Sequence, residues 1–208
     1  MLMTESPMPE IERLRGNAIL PWIPELARLR IQVFREFPYL YDGDADYEAR
    51  YLRTYMDSPD SVVVLVFDGE RIVGASTGLP LADETENVIA PFREADMDVA
   101  HIFYFGESVL LPEYRGQGLG VRFFTEREAH ARELGGFDLA CFCAVDRPAD
   151  HPRRPAGYTP LDRFWEKRGY RRHPELRAAF AWQDLDEDGE SSKPMTFWLK
   201  RLTPGTAV

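Results

Sequence analysis

Apolar positions from Pro24 to Phe37 recur every three to four residues, at Leu26, Leu29, Val33 and Phe37, the spacing of one helix face. Pro24 suits a first helical turn, and Pro38 stops the element. The loop Tyr39-Leu40-Tyr41-Asp42-Gly43-Asp44 follows, and Tyr47 to Met56 predicts a second helix. Ser61 to Phe67 is a nearly continuous apolar run that reads as a strand. Asp68-Gly69 is a hairpin turn, and Arg71 to Leu79 is the returning strand. Ile11 to Ala18 predicts a strand ahead of these. Residues 1 to 10, with Ser, Pro and Glu, are expected to form a loose tail.

The second half alternates the two periods. Ala82 to Val99 is acidic and helix-compatible, and His101 to Leu111 predicts a long central strand. Gly120 to Leu134 predicts a helix with Val121, Phe124, Ala131 and Leu134 inward and Glu128 as an exception. Asp138 to Val145 is a further strand. Residues 146 to 158 hold three prolines and a glycine, which makes them a long loop. Thr159-Pro160-Leu161-Asp162 has the order of a helix start, with an N-cap, a first-position proline and an acid in the first turn. Leu161, Phe164 and Trp165 would form its apolar face, and Gly169 its stop. Leu176 to Trp182 and Met195 to Leu202 are closing strands, joined by the acidic turn Asp184 to Glu190. Interleaved strands and helices place the chain in the α/β (α+β) class, as one domain over residues 11 to 208.

Composition narrows the function. The chain has 208 residues and a net charge of −10. A nucleic-acid binder would show a basic face, so nucleic acid is not an expected partner. The acidity could steer a cationic amine toward the protein, or serve solubility alone. No apolar run approaches membrane-spanning length, and Met1 to Glu10 lacks the regions of a secretory signal. The two cysteines, Cys141 and Cys143, stand two apart in a strand, a poor geometry for a disulfide and too few ligands for a metal. Buried free thiols suit a cytoplasmic protein.

The chemistry is concentrated in Arg115-Gly116-Gln117-Gly118-Leu119-Gly120, between the central strand and a helix start. Such a turn cradles phosphate, because the first helical N–H groups and the helix dipole face an anion. A Walker loop would need Gly-Lys-Ser/Thr at its end, and Val121-Arg122 follow instead. A dinucleotide loop needs Gly-x-Gly-x-x-Gly, whereas glycine falls here at every second position. The hexapeptide fits Arg/Gln-x-x-Gly-x-Gly/Ala. The stretch Leu110 to Gly120 resembles the coenzyme A loop of the GNAT acetyltransferase superfamily. Phe164-Trp165-Glu166-Lys167-Arg168-Gly169-Tyr170 resembles that family's Phe-Tyr-Glu-Lys-x-Gly-Phe segment, and the element order agrees over most of the chain.

The resemblance implies the GNAT fold, a mixed, mostly antiparallel sheet with helices on both faces. It implies acetyl-CoA as donor and direct transfer to an amine without a covalent enzyme intermediate. It places coenzyme A on Val109, Leu110, Leu111, Arg115, Gly116, Gln117, Gly118, Leu119 and Gly120, with Phe164 and Trp165 beside it, and a backbone N–H at or next to Leu110 on the thioester oxygen. Glu107 is the expected base. Strand alternation would set it on the apolar face of Phe103, Phe105, Val109 and Leu111, surroundings that suit a group taking up and releasing protons. Pairing with an arginine at a strand end is the plain alternative, and Gly106 points to a bulge there. Trp165 stands where relatives carry a tyrosine that protonates the departing thiolate. An indole N–H cannot do this, so Tyr158 or water is the expected donor. Asp146 stands where many relatives have an asparagine on the pantetheine arm, and His151, Arg153 and Arg154 follow it in the loop. Tyr39, Tyr41 and Asp42 fall where relatives bind the acceptor, and suit an ammonium group through cation–π and charge contacts. An Asp-Gly turn with packed tyrosines would explain the same residues. Three functions stay open: acetylation of a small-molecule amine, acetylation of a protein amine, and coenzyme A sensing without catalysis. Relatives often form homodimers.

Overall fold

Seven strands form one sheet: β1 (Glu10–Leu14), β2 (Val62–Asp68), β3 (Arg71–Pro80), β4 (Ile102–Leu110), β5 (Leu139–Val145), β6 (Arg171–Trp182) and β7 (Ser191–Arg201). Their order is β1-β2-β3-β4-β5-β7-β6. The β4–β5 pair is parallel, and every other neighbouring pair is antiparallel. The computed structural model describes residues 9–202, so the expected tail falls outside the described residues except for Pro9 and Glu10, and Glu10 opens β1. Five α-helices cover the sheet: α1 (Ile23–Phe34), α2 (Ala45–Asp57), α3 (Glu86–Glu94), α4 (Leu119–Leu134) and α5 (Asp162–Glu166). None of them is long and apolar enough to cross a membrane.

The α1–α2 pair lies over β3 and β4, and α4 lies on the opposite face of the same strands. On the α4 side, Phe103 meets His130, Phe105 meets Phe124, and the Arg127 guanidinium sits 4.3 Å from the Phe105 ring centre. β2 and β3 are buried almost throughout because helices cover both faces, which is why their sequences read as continuous apolar runs.

Several expected boundaries move. The first strand ends at Leu14 rather than Ala18. Gly16 has φ +50°, and a 3₁₀ stretch runs from Gly16 to Trp22. α1 ends at Phe34, so Phe37 lies outside it, against Tyr158. The helix expected over 82–99 is confined to Glu86–Glu94. On α4 the inward positions are Leu119, Phe123, Phe124, Arg127, Glu128, His130 and Ala131, while Val121 faces solvent. Val121 is about 200° round the helix from Leu119, so both cannot face the sheet. α5 starts at Asp162, two residues later than an N-cap at Thr159 predicts, and leaves Leu161 exposed.

The decisive irregularity is in β4. Ser76 pairs with Ser108 and Gly78 with Phe105, so Thr77 stands opposite both Gly106 and Glu107. Two residues opposite one is a β-bulge, and it resets the alternation. Phe103 and Phe105 face α4, whereas Glu107 faces α1 and α2. This corrects the expected shared face of Glu107 with the two phenylalanines. A Cβ on Gly106 would come within 1.8 Å of the Tyr55 hydroxyl, so only glycine fits there. From the α4 side, Arg127 donates to the carbonyls of Thr77 at 3.2 Å and Glu107 at 3.1 Å and to Ser108 Oγ at 2.9 Å, tying down the bulge.

Candidate active site

The glycine turn has the backbone of an anion cradle. Gly116 and Gly118 have φ +77° and +84°, and a Cβ on either would meet nothing within 4 Å, so the turn is open above them. Helical bonding begins with Val121 and Arg122 donating to Gly118 O. Among the described residues, the N–H groups of Gln117 to Gly120 make no backbone or side-chain hydrogen bond. Four donors converging on open space at the start of a 16-residue helix fit a pyrophosphate. Arg115 donates from Nε to Leu110 O at 3.0 Å and pairs through Nη1 with Glu36 at 2.8 Å, fastening the turn to the end of α1. Gln117 Nε2 bonds Glu113 O.

β4 leads from this cradle into a gap. β4 and β5 pair only from Ile102–Leu139 to Tyr104–Cys141, although both strands continue beyond. Leu111 N donates to Val73 O on β3, so strand alternation turns the Leu110 N–H the other way, into the gap. Phe164 lies across the helix start, 3.4 Å from where a Gly120 Cβ would be. Trp165 packs at 5.1 Å on Phe142 and 5.0 Å on Trp198.

Below the gap, on the α1–α2 face, Glu107 meets a buried polar cluster. Arg30 Nη1 lies 2.7 Å from Glu107 Oε1, an ion pair without an aligned hydrogen bond, and Arg30 Nε bonds Glu48 Oε2. Tyr51 donates to Glu107 Oε2 at 3.1 Å, and its oxygen is 2.9 Å from that of Tyr55. The expected apolar surroundings of Glu107 are therefore absent. Burial works against the Arg30 charge, but Glu107 and Glu48 outweigh it and raise its pKa well above the ordinary value. Burial also raises the Tyr51 and Tyr55 hydroxyls well above theirs. Glu84, close enough to feel the Glu107 charge, is shifted upward first by burial.

A cavity of about 90 Å³ opens beside this cluster. Tyr39, Tyr41, Tyr47, Phe34 and Trp182 give it aromatic walls, and Glu48, Glu107 and Arg30 its charged end. Cys143 also lines it. Burial pushes that thiol up to about 12, so it stays protonated. A second opening shares Tyr41, Tyr47 and Trp182 with the first and adds Asp42, Asp44 and Glu190. The wall is held by Arg147, which donates to Pro38 O and Tyr39 O and grips both oxygens of buried Asp184 at 2.7 and 2.9 Å.

The structure thus brings Glu107, Tyr39 and Tyr41 to one cavity and Asp42 to its mouth. Tyr158 lines neither opening. It packs edge-on to Phe37 at 4.7 Å beneath Arg154, and burial raises its hydroxyl pKa. Asp146 accepts from Arg172, Arg177 and Thr196, which ties it to β6 and β7. Arg30, Glu48, Tyr51 and Arg127 were not among the expected site residues, yet the first three had a signal. Arg30 falls on the Leu26-Leu29-Val33 stripe. Glu48, Tyr51, Leu52 and Tyr55 have the i, i+3, i+4, i+7 spacing of a buried face. A charge on such a stripe signals a buried pair.

A profile of the acetyltransferase (GNAT) family matches residues 26–170, and the chain belongs to that family. Acetyl-CoA, the donor expected from the glycine turn, is the family's co-substrate. The fold agrees with solved structures at low identity. One is an aminoglycoside 6′-N-acetyltransferase complexed with coenzyme A (15% identity, TM-score 0.58, covering 95% of this chain and 99% of that one). Another is a ribosomal-protein-alanine N-acetyltransferase from Brucella melitensis (14%, TM-score 0.58, 93% and 99%). A third, from Salmonella typhimurium, was solved with its cofactor acetyl-CoA (11%, TM-score 0.55, 95% and 96%). No curated protein matches the chain significantly.

Proposed function

We propose that this protein is an N-acetyltransferase that moves the acetyl group of acetyl-CoA to the primary amine of a small molecule, in the cytoplasm. The observation that carries this reading is the position of Glu107. The bulge sets it between the gap that leads from the cradle and the cavity with aromatic walls. The bound thioester supplies an activated acetyl carbon. The N–H groups of Gln117 to Gly120 hold the pyrophosphate, and the Leu110 N–H faces the thioester oxygen and stabilises its developing charge. The amine arrives as an ammonium ion, and Glu107 takes its proton directly or through water. Arg30 and Tyr51 fix the carboxylate, and a carboxylate retains acceptor sites beyond those two contacts. As the N–C bond forms, the C–S bond breaks, and the thiolate takes a proton from water, Tyr158 being packed on Phe37 outside both openings. The cavity, about 90 Å³ with aromatic walls, supports a slender amine chain as acceptor.

The test is thiol release from acetyl-CoA that depends on added amine. Glu107→Gln is expected to lower kcat by about 10²–10⁴-fold, the usual share of a general base. Thiol release with no dependence on amine, or full turnover by Glu107→Gln, would refute the assignment.

A further inference from the structure

Glu48 is fully buried, yet its carboxylate is only partly engaged. Oε2 is bonded by Arg30 Nε, while Oε1 has no aligned hydrogen bond, the Tyr41 hydroxyl lying close to the carboxylate, and the residue lines the cavity. Both Glu107 oxygens are already met, by Arg30 and by Tyr51. Among the described residues Arg30 is the single cation lining the cavity, set against two carboxylates, so the lining carries an excess of acidic groups. A buried carboxylate oxygen without an aligned hydrogen bond is costly, and a bound cation is the group that relieves it. Tyr41, Tyr47 and Trp182 line the cavity and supply aromatic rings for such a cation. They also line the second opening, where Asp42 is paired with Arg35, Asp44 caps α2 at Tyr47 N, and Glu190 is exposed.

We propose that Glu48 Oε1 anchors an ammonium group of the acceptor, and that the acceptor is a net-cationic alkylamine, preferentially a diamine, rather than an amino acid. This rests on the acetyltransferase reading and names the acceptor class for it. A carboxylate on the acceptor would add negative charge to a lining already in excess of acidic groups, with Arg30 engaged. A second ammonium would meet Glu190 in the adjoining opening.

Three amines with the same four-carbon chain separate the possibilities: 1,4-diaminobutane, butylamine and 4-aminobutyrate. Each is titrated calorimetrically into protein saturated with coenzyme A, and each is assayed as acceptor. Affinity and kcat/KM should fall in that order. Glu48→Gln should weaken 1,4-diaminobutane binding by about tenfold or more, the worth of a charged hydrogen bond, while its affinity for coenzyme A stays that of the wild type. The loss should fall mainly on the amine KM. Should Glu48→Gln fail to fold, Glu190→Gln at the exposed mouth serves instead, and it should reduce the advantage of 1,4-diaminobutane over butylamine. Equal binding of 4-aminobutyrate and butylamine overturns the proposal, as does an unchanged amine affinity in Glu48→Gln. Coenzyme A binding with none of the three amines bound also overturns it and leaves the acetyltransferase reading intact. Failure to bind coenzyme A removes that reading itself.

Discussion

Two glycines carry more of the site than any charged residue, one by lacking a side chain and one by its backbone angle. Gly106 lets the Tyr55 hydroxyl reach the strand where Glu107 turns toward α1. In Gly106→Ala the new methyl would overlap that hydroxyl. We expect a loss of about 1–3 kcal/mol in urea denaturation, the usual cost of overpacking, together with a fall in turnover as Tyr55 and Tyr51 shift. Gly118 has open space but φ +84°. Gly118→Ala should cost about 1–2 kcal/mol through the left-handed backbone alone. Its KM for acetyl-CoA should rise, because relaxing the strain re-aims the cradle N–H groups. Stability without a KM change would show that those donors do not hold the cofactor.

At the level of elements, α4 and the β6–β7 turn make separate predictions. Arg127 reaches through from α4 to the carbonyls on both sides of the bulge. Burial, with only weak charge compensation, lowers its pKa to about 10. Arg127→Met fills the space and strands those carbonyls, so we expect roughly 3 kcal/mol or more of destabilisation. In the turn, Lys193 at 2.7 Å and neighbouring donors hold Glu187 down to about 2, from 4.5. A depressed carboxylate stabilises the fold above its unfolded pKa and loses that contribution as pH falls. The wild-type melting temperature should therefore drop between about pH 4.5 and pH 2, and less steeply in Glu187→Gln. What was legible in the sequence follows the same division. Strand runs and the glycine turn were readable because they are local. The facing of Glu107 was not, because one extra residue in β4 reverses a period-two pattern. Val121 was misassigned because the helix phase is set by Leu119, one residue before the expected start. The stripes of α1 and α2 signal that Arg30 and Glu48 are buried, but not that they meet Glu107, which depends on how the helix pair sits on β4.

Across the whole molecule, the glycine turn and the aromatic cavity differ in how they are assembled. The cradle is built from consecutive residues, 110 to 120, while the cavity joins α1, α2, β4, β5 and the β6–β7 hairpin. Arg147 and Asp184 hold that second assembly together at 2.7 and 2.9 Å. Arg147→Ala leaves Asp184 buried with Lys193 as its remaining cation, at 3.4 Å. We expect about 3–5 kcal/mol of lost stability and a raised amine KM, with coenzyme A affinity unchanged by calorimetry. The β6–β7 hairpin has a further consequence. It lends Phe180, Trp182 and Met195 to the cavity and nothing to the glycine turn. A lineage carrying this chain can therefore try new sequences at the outer end of the hairpin, and with them new cavity walls, while the glycine turn and Trp198, which packs on Trp165, are inherited intact.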